Sequence, residues 1–226
     1  LPVPGVRALL NQGDPALDPE KDTGKPLELA KTESILKCIE YSHSNLSEDA
    51  QELMLCLAPF TSVIDTDYLS EYTEQLKAQP ALEKLRFEKW QEVLQEAADW
   101  GLLAAHPAGG GLLRLQPILP YFLRQRCSQQ GMEQVKAAVE TAFRLHYDDL
   151  GGMLEQLLQS KEAKEKQLGM LLVGLEYENL HTALFLALEA QGNFYYAFSS
   201  LYEYLLAMQA HTTRMELCER VVAFQS

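Results

Sequence analysis

Side chains that could carry out acid–base or metal chemistry lie close together near the C-terminal end of the chain, at Glu176, Glu178 and Asn179. Two carboxylates can serve as a general acid and base, or as metal ligands, when they converge on one point. Positions i and i+2 of an α-helix face different directions, so Glu176 and Glu178 do not converge. The pattern favours a structural role, in which Glu176 and Asn179 hydrogen-bond to a neighbouring turn or helix end.

No other pattern in the sequence predicts an active site. The five histidines lack the spacing of metal ligands. The run Gly109-Gly110-Gly111 lacks the lysine and the hydroxyl residue that a phosphate-binding loop uses to hold phosphate and Mg²⁺. No serine or cysteine stands in a local nucleophile motif. We therefore predict that the chain is not an enzyme, has no catalytic residues and no metal site, and does not hydrolyse ATP by itself.

The elements that must position these residues fall into three parts. Residues 1–26 hold five of the ten prolines, which exclude long helices, so we interpret residues 1–32 as a linker or the remnant of a preceding domain. Residues 33–127 predict three helices, a β-hairpin and a further helix, the order found in a winged-helix domain. Residues 131–226 predict only helices. The predicted fold class is therefore all-α, a winged-helix domain with a small β-hairpin wing followed by antiparallel helical hairpins like those of tetratricopeptide (TPR) repeats.

Local signals predict where individual elements begin and end. Ser47 is a good helix N-cap, with acidic residues in the turn that follows. Gly101 predicts a helix end. Two short apolar runs on either side of residues 106–111 predict the hairpin. Gly151-Gly152 predicts a kink or break in the helix over residues 132–158.

Charge and cysteine usage predict the compartment and exclude two classes of partner. The chain has 19 basic and 32 acidic residues, a formal net charge of −13, which repels nucleic-acid phosphates and anionic membranes. No apolar run reaches the ~18–20 residues that a membrane span needs. The four cysteines form no Cys-x-x-Cys pair, and Cys38 and Cys56 lie on apolar helical stripes. Reduced, buried thiols in a cytoplasmic protein are therefore expected, with no nucleic-acid and no membrane partner.

Three blocks of residues follow one another along the chain. They lie within residues 35–60, 112–126 and 175–188. The residues that define the blocks are Ile35, Ile39, Leu46, Ser47, Gln51, Leu53, Leu57, Ala58 and Phe60 in the first, Leu113 to Phe122 in the second, and Leu175, Glu176, Glu178, Asn179, Leu180, Ala183 and Leu184 in the third. In this order they resemble the region that follows the nucleotide-binding core of STAND (NB-ARC-type) signal-transduction ATPases, a class that includes apoptotic and plant-resistance ATPases and bacterial relatives.

The resemblance implies a nucleotide-controlled switch. In the family, a histidine before the proline of the second block contacts the β-phosphate of ADP and holds the inactive state. This chain has Gln116 at that position, which can donate an amide hydrogen bond but carries no positive charge. The resemblance implies ATP or ADP with Mg²⁺ only if a nucleotide-binding domain precedes residue 1. The chain starts at Leu1 and not at Met, so we expect a shortened or processed piece.

Two features bear on the kind of partner. The helix predicted over residues 87–100, which enters DNA in DNA-binding winged helices, carries four acidic residues and one lysine, so protein binding is favoured over DNA binding. The helix over residues 194–210 has an apolar stripe ending at Met208, expected in the core. Tyr195, Tyr196 and Tyr202 lie partly off that stripe. They predict either a partner-binding surface or packing against a following repeat.

The sequence thus predicts a cytoplasmic, non-catalytic regulatory and protein-interaction fragment of a signalling ATPase. It would couple an upstream ATPase domain, its partner in cis, to a helical-repeat sensor. The alternative is a free-standing helical-repeat adaptor that binds a protein or peptide.

Overall fold

The computed structural model describes the backbone of residues 27–225 and the side chains of residues 34–224. Most of the predicted linker therefore lies outside the described residues. Within the described range the protein is predominantly helical and contains one small sheet. The helices are α1 (Leu27–Ser44), α2 (Glu48–Leu55), α3 (Leu69–Lys77), α4 (Trp90–Asp99), α5 (Leu119–Cys127), α6 (Glu133–Gln159), α7 (Ala163–Glu189), α8 (Tyr195–Ala207) and α9 (His211–Gln225). The strands are β1 (Val63–Asp65), β2 (Leu103–Ala105) and β3 (Leu112–Leu115), and short 3₁₀ turns span Thr66–Tyr68, Pro80–Leu82 and Phe87–Lys89.

The sheet is antiparallel with strand order β1-β3-β2. The predicted hairpin of β2 and β3 is present, and its turn holds three consecutive glycines at positive φ, which suits glycine. The hairpin prediction omits β1, which pairs Val63 with Arg114 of β3. Three residues are too few to display a period-two pattern, and β1 exists because β3 supplies its hydrogen-bonding partner.

Helix ends lie at two predicted positions, Ser47 and Gly101. Ser47 caps α2, since its hydroxyl accepts a hydrogen bond of 3.3 Å from the Ala50 amide. Glu96 of α4 in turn accepts hydrogen bonds from the Ser47 N–H at 2.7 Å and from its hydroxyl at 2.8 Å. Gly101 follows α4 with a φ of 73°, the left-handed conformation that ends helices. One acidic side chain of α4 therefore holds the start of α2 in place.

A continuous apolar core extends from α1 to α9. Within it, the ring of Phe60 packs edge-on against Tyr72, Phe143 and Tyr147 at centroid distances of 5.3, 5.0 and 6.2 Å. Edge-to-face aromatic pairs contribute about 0.5–1.5 kcal/mol each beyond the area that they bury. Phe60 precedes β1 and Tyr72 lies on α3, whereas the other two rings lie on α6. Helix α6, with 27 residues, is therefore shared by the sheet-containing part and the C-terminal helices.

The glycine pair in α6 does not interrupt the helix, which continues to Gln159. A Cβ atom on Gly151 would lie 2.9 Å from the backbone carbonyl carbon of Tyr196 in α8. The Ser200 hydroxyl donates a hydrogen bond of 2.8 Å to the Gly151 carbonyl. The predicted break is wrong, because the absence of a side chain at this position lets α8 approach the α6 backbone.

Two predictions of burial are also wrong. Met208 is 57% exposed, because α8 ends at Ala207 and its buried face runs through Leu201 and Leu205. Cys38 is exposed, because α1 turns a different face to the core. Cys56 is buried as expected, and the cysteines of the described residues are free thiols.

The close approach of α6 and α8 predicts that alanine at Gly151 destabilises the protein and that alanine at the neighbouring Gly152 does not. Gly151→Ala is expected to lower the free energy of unfolding by about 1–3 kcal/mol, because the new methyl group meets α8 backbone that cannot move independently. Gly152→Ala is the matched control. Its Cβ meets the Tyr196 ring at an ordinary 3.7 Å, so the gain in helix propensity makes it neutral or stabilising by up to about 1 kcal/mol. Urea unfolding followed by circular dichroism measures both, and equal midpoints would contradict the close approach.

Candidate functional site

Asn179 joins α7 to the segment that forms β1. Its side chain is fully buried, at 0% exposed. The Oδ1 atom accepts hydrogen bonds from the Thr61 N–H at 2.9 Å and from the Thr61 hydroxyl at 3.1 Å. The Nδ2 atom donates to the Val63 carbonyl at 2.9 Å and to Glu176 Oε2 at 2.8 Å. The amide therefore satisfies backbone groups on both sides of residue 62, as a neighbouring strand would do.

Glu176 completes this cluster, which we call the polar junction and define as Thr61, Val63, Tyr147, Glu176 and Asn179. The Tyr147 hydroxyl donates a hydrogen bond of 2.7 Å to Glu176 Oε2. Burial raises the pKa of the Glu176 carboxyl above its ordinary value, and the hydrogen bonds from Asn179 and Tyr147 partly offset this. Burial and the adjacent Glu176 raise the pKa of Tyr147 well above its ordinary range, so the phenol stays a hydrogen-bond donor.

The junction lacks the geometry of a catalytic site. Glu176 is 4% exposed, whereas Glu178 lies on the exposed face of α7, so the two carboxylates point apart. The cavity that borders Glu176, His146 and Tyr147 has a volume of about 10 Å³, which is room for about one water molecule and no substrate. The arrangement can hold elements together, and it offers no access for a reacting group. The sequence predicts the structural role of Glu176 and Asn179 but not that of Tyr147. The feature that could have indicated it is the position of this tyrosine on the apolar face of its helix, since a buried tyrosine hydroxyl needs a hydrogen-bond partner.

Gln116 lies on the surface between β3 and α5. Its side chain is exposed. Its backbone is fixed, because the Gln116 N–H donates to the Leu102 carbonyl at 3.1 Å and its carbonyl accepts from the Leu119 N–H at 2.9 Å. A rigid backbone therefore presents an amide side chain to solvent at this position.

The three predicted interface tyrosines have different surroundings. Tyr195 is 56% exposed and packs edge-on against Tyr196 at 5.2 Å between centroids. The Tyr196 ring covers Gly152 of α6 but stays partly exposed. Tyr202 is half-buried, and the Arg214 guanidinium lies 5.2 Å from its ring centroid. Two adjacent aromatic rings therefore remain available on the surface, and the third packs within the chain.

A groove between α3 and α4 was not predicted from the sequence. Its volume is about 620 Å³. Its apolar lining consists of Leu69, Phe87, Trp90, Leu94, Ala98 and Leu113, and its polar lining includes Ser70, Glu74, Lys77, Gln91 and Gln95. The Nε1 atom of Trp90 is buried and has no hydrogen-bond partner among the described residues. The apolar spacing on α4 had indicated a core-facing helix, and sequence does not reveal that α3 leaves part of this face uncovered.

His43 is a second buried polar group that lacks a partner. It is 2% exposed, and neither ring nitrogen has a hydrogen-bond partner in the described part of the chain. Its ring packs edge-on against Phe122 of α5 at 5.1 Å between centroids. Burial, and to a smaller extent the charge of Arg126, lowers the pKa of His43 to about 4. His146 is also buried, which lowers its pKa to about 4.

Comparison with known proteins gives no relative: no family model, no curated protein and no solved structure matches this chain. Among the described residues, no group of three or more His, Cys, Asp or Glu side chains is placed to hold a metal ion. None of the helices in the described range is long and apolar enough to cross a membrane.

The polar junction predicts that substitution of Asn179 in α7 lowers the free energy of unfolding strongly, whereas substitution of its neighbour Glu178 changes it little. Asn179→Ala is expected to lower the free energy of unfolding by about 2–4 kcal/mol, because it leaves the Thr61 N–H and the Val63 carbonyl buried without partners. Glu178→Ala is the control, expected to change stability by less than about 0.5 kcal/mol because its side chain is exposed. Chemical denaturation of both variants measures the difference. A loss below about 1 kcal/mol for Asn179→Ala would show that water reaches the junction.

The buried histidines predict that acid destabilises the protein between about pH 6.5 and pH 4. Histidines of the unfolded chain bind protons near pH 6.5, whereas folded His43 and His146 have pKa values of about 4. The contribution of these two histidines to stability is therefore fully present above about pH 6.5 and is lost as the pH falls towards 4, by up to about 1.4 kcal/mol per pH unit for each histidine.

Replacing one of these histidines tests the assignment. His43→Phe keeps an aromatic ring beside Phe122 and is expected to remove one histidine's share of this pH slope. His211→Gln, at an exposed position, should leave the slope unchanged. Urea unfolding at half-unit pH steps measures the slopes. If His43→Phe retained the full wild-type slope, His43 would be protonated equally in both states.

Proposed function

We propose that this chain is a non-catalytic regulatory and protein-interaction arm of a nucleotide-controlled signalling ATPase of the STAND class, acting in a bacterial cytoplasm. In this proposal residues 33–127 form a winged-helix domain and residues 131–226 begin a TPR-like helical array. The observation that carries it is that the three sequence blocks of the STAND resemblance, or residues directly beside them, contact one another.

The contacts between the blocks are specific. His43 of the first block packs against Phe122 of the second. Asn179 of the third block hydrogen-bonds to Thr61, directly after the first block, and to Val63. Val63 pairs in turn with Arg114 of the second block. The segments that contain the three blocks, or lie directly beside them, are therefore neighbours in space, as expected of a shared structural unit.

The order of elements supports the winged-helix interpretation. Strand β1 precedes α3, and the hairpin of β2 and β3 follows α4, with β3 in the middle of the sheet. The TPR-like interpretation is supported by α6 and α7, which pack along each other with residues 160–162 as their connection, and by α8 and α9, which follow with a similarly short turn.

The proposed mechanism is a two-state interface biased by nucleotide. ATP or ADP with Mg²⁺ would bind an upstream domain, and the exposed amide of Gln116 would donate a hydrogen bond to that site in the ADP state. The polar junction ties α7 to β1, so release of the winged helix would move the helical array with it. Coupling between the ATPase domain and a sensor then depends on rigid contacts and not on chemistry within this chain.

Charge on α4 supports a protein partner over DNA in this proposal. Its acidic residues include Glu92, which is exposed, and Glu96, which holds the N-terminus of α2. Lys89, just before α4, is paired with Asp49. The helix that would face DNA therefore offers no free cation to phosphate.

A second candidate is a free-standing helical-repeat adaptor that binds a protein or peptide without nucleotide. The exposed Tyr195–Tyr196 pair favours it, because tyrosines with exposed rings are enriched at protein interfaces.

Nucleotide release from the native protein tests the proposal. We expect antibodies against this chain to isolate a longer protein that carries a glycine-rich Lys-Ser/Thr loop and bound ADP. In that protein, Gln116→Ala should speed release of a fluorescent ADP about fivefold, the effect of losing about 1 kcal/mol of hydrogen bonding. Gln116→His should slow release, and Gln129→Ala, an exposed glutamine after α5, should have no effect. A native protein that starts near Leu1 and binds no nucleotide would overturn the proposal and leave the adaptor.

A further inference from the structure

We propose that the groove between α3 and α4 binds an amphipathic helix of a partner protein, with its apolar face on the groove floor and basic residues along its edges. This inference goes beyond the proposed function, because the groove would serve a nucleotide-controlled arm and a free-standing adaptor equally well.

The groove has the length of a helix-binding site. Residues that line it recur every three or four positions from Leu69 to Lys77 along α3 and from Trp90 to Ala98 along α4. It therefore follows both helices from end to end. Nine residues of α3 correspond to roughly 14 Å, or about two and a half turns of a partner helix. A helix of that length would place apolar side chains at positions i, i+3 or i+4, and i+7 on the floor.

The floor is apolar and contains a buried donor without a partner. Apolar side chains of both helices and of β3 form the floor, and polar residues form its edges. The Trp90 N–H lacks an acceptor among the described residues, although buried indole donors are normally paired. An unpaired buried donor costs about 1–3 kcal/mol. Because the indole nitrogen is itself buried, this cost belongs to the packed interior, and it is the apolar floor that the side chains of a partner would cover.

The charge around the groove favours a partner helix that carries basic residues on both sides of its apolar face. The charged residues that line the groove are Glu74 and Lys77. Two further carboxylates lie at its edges, because the lining residues Ser70 and Gln95 donate hydrogen bonds to Glu71 at 2.7 Å and to Asp99 at 2.9 Å. Lys77 is already paired with Glu74 at 2.9 Å. The charge left free is therefore negative, and the whole chain carries −13. Such a field attracts a helix with Lys or Arg beside its apolar stripe and repels an acidic one.

Selection from a display library of 16-residue amphipathic helices, with free choice of charge beside the apolar stripe, tests the proposal on the purified 226-residue chain. We expect enriched peptides to carry a net positive charge and an apolar i, i+3/i+4, i+7 stripe, and to bind more weakly as salt increases. Ala98→Leu, which fills the groove, should weaken their binding about tenfold, as should the charge reversal Glu74→Lys at the acidic residue of the lining. Glu178→Lys makes the same charge change on the exposed face of α7 and should weaken binding much less.

The other outcomes overturn the proposal. Enriched peptides that are acidic would contradict the charge argument, and peptides that bind the Ala98→Leu variant unchanged would place their site elsewhere. Failure to enrich any peptide would exclude a helical occupant. Groove-dependent dimers in sedimentation velocity would make a second copy the occupant.

Discussion

The hydrogen bonds of the Asn179 amide are the constraint on which the arrangement of the molecule depends. Asn179 lies on α7, more than a hundred residues from Thr61 and Val63, yet it satisfies backbone groups of both. Backbone groups next to a short edge strand must be paired when they are buried. Because a single side chain supplies this pairing, β1 and α7 hold fixed positions relative to each other, and Glu176 and Tyr147 keep the amide in place.

Helix α6 extends this constraint through the rest of the core. One section of α6 contributes Phe143 and Tyr147 to the aromatic cluster around Phe60. Further along, Gly151 admits the backbone of α8. A helix held on both sides at close packing distance has little freedom to bend, since protein interiors are packed as densely as organic crystals. A rigid α6 agrees with the proposed function, in which movement of the winged helix is passed to the C-terminal helices.

Several ionisable residues stabilise the fold. Glu96 caps a helix from another element, and Glu176 accepts hydrogen bonds inside the core. The two buried histidines are neutral packing residues with lowered pKa values. The surface presents an apolar groove with carboxylates along its edges, a pair of exposed tyrosines and a fixed exposed glutamine. These are features of recognition, which is why the function proposed here is binding and regulation.

The sequence by itself determined the features that depend on neighbouring residues. Ser47 and Gly101 marked helix ends, the glycine run marked the hairpin, and the spacing of Glu176 and Asn179 placed both on one face of a helix. Strand β1, the capping role of Glu96, the exposure of Met208 and the groove were decided only by tertiary structure. Three of them depend on residues distant in the chain: β3 pairs with the strand, Ser47 binds the Glu96 carboxylate, and α3 and α4 together form the groove. Met208 is exposed because it follows the last residue of α8. Helical periodicity reports which face is apolar, but what covers that face is set by packing between elements.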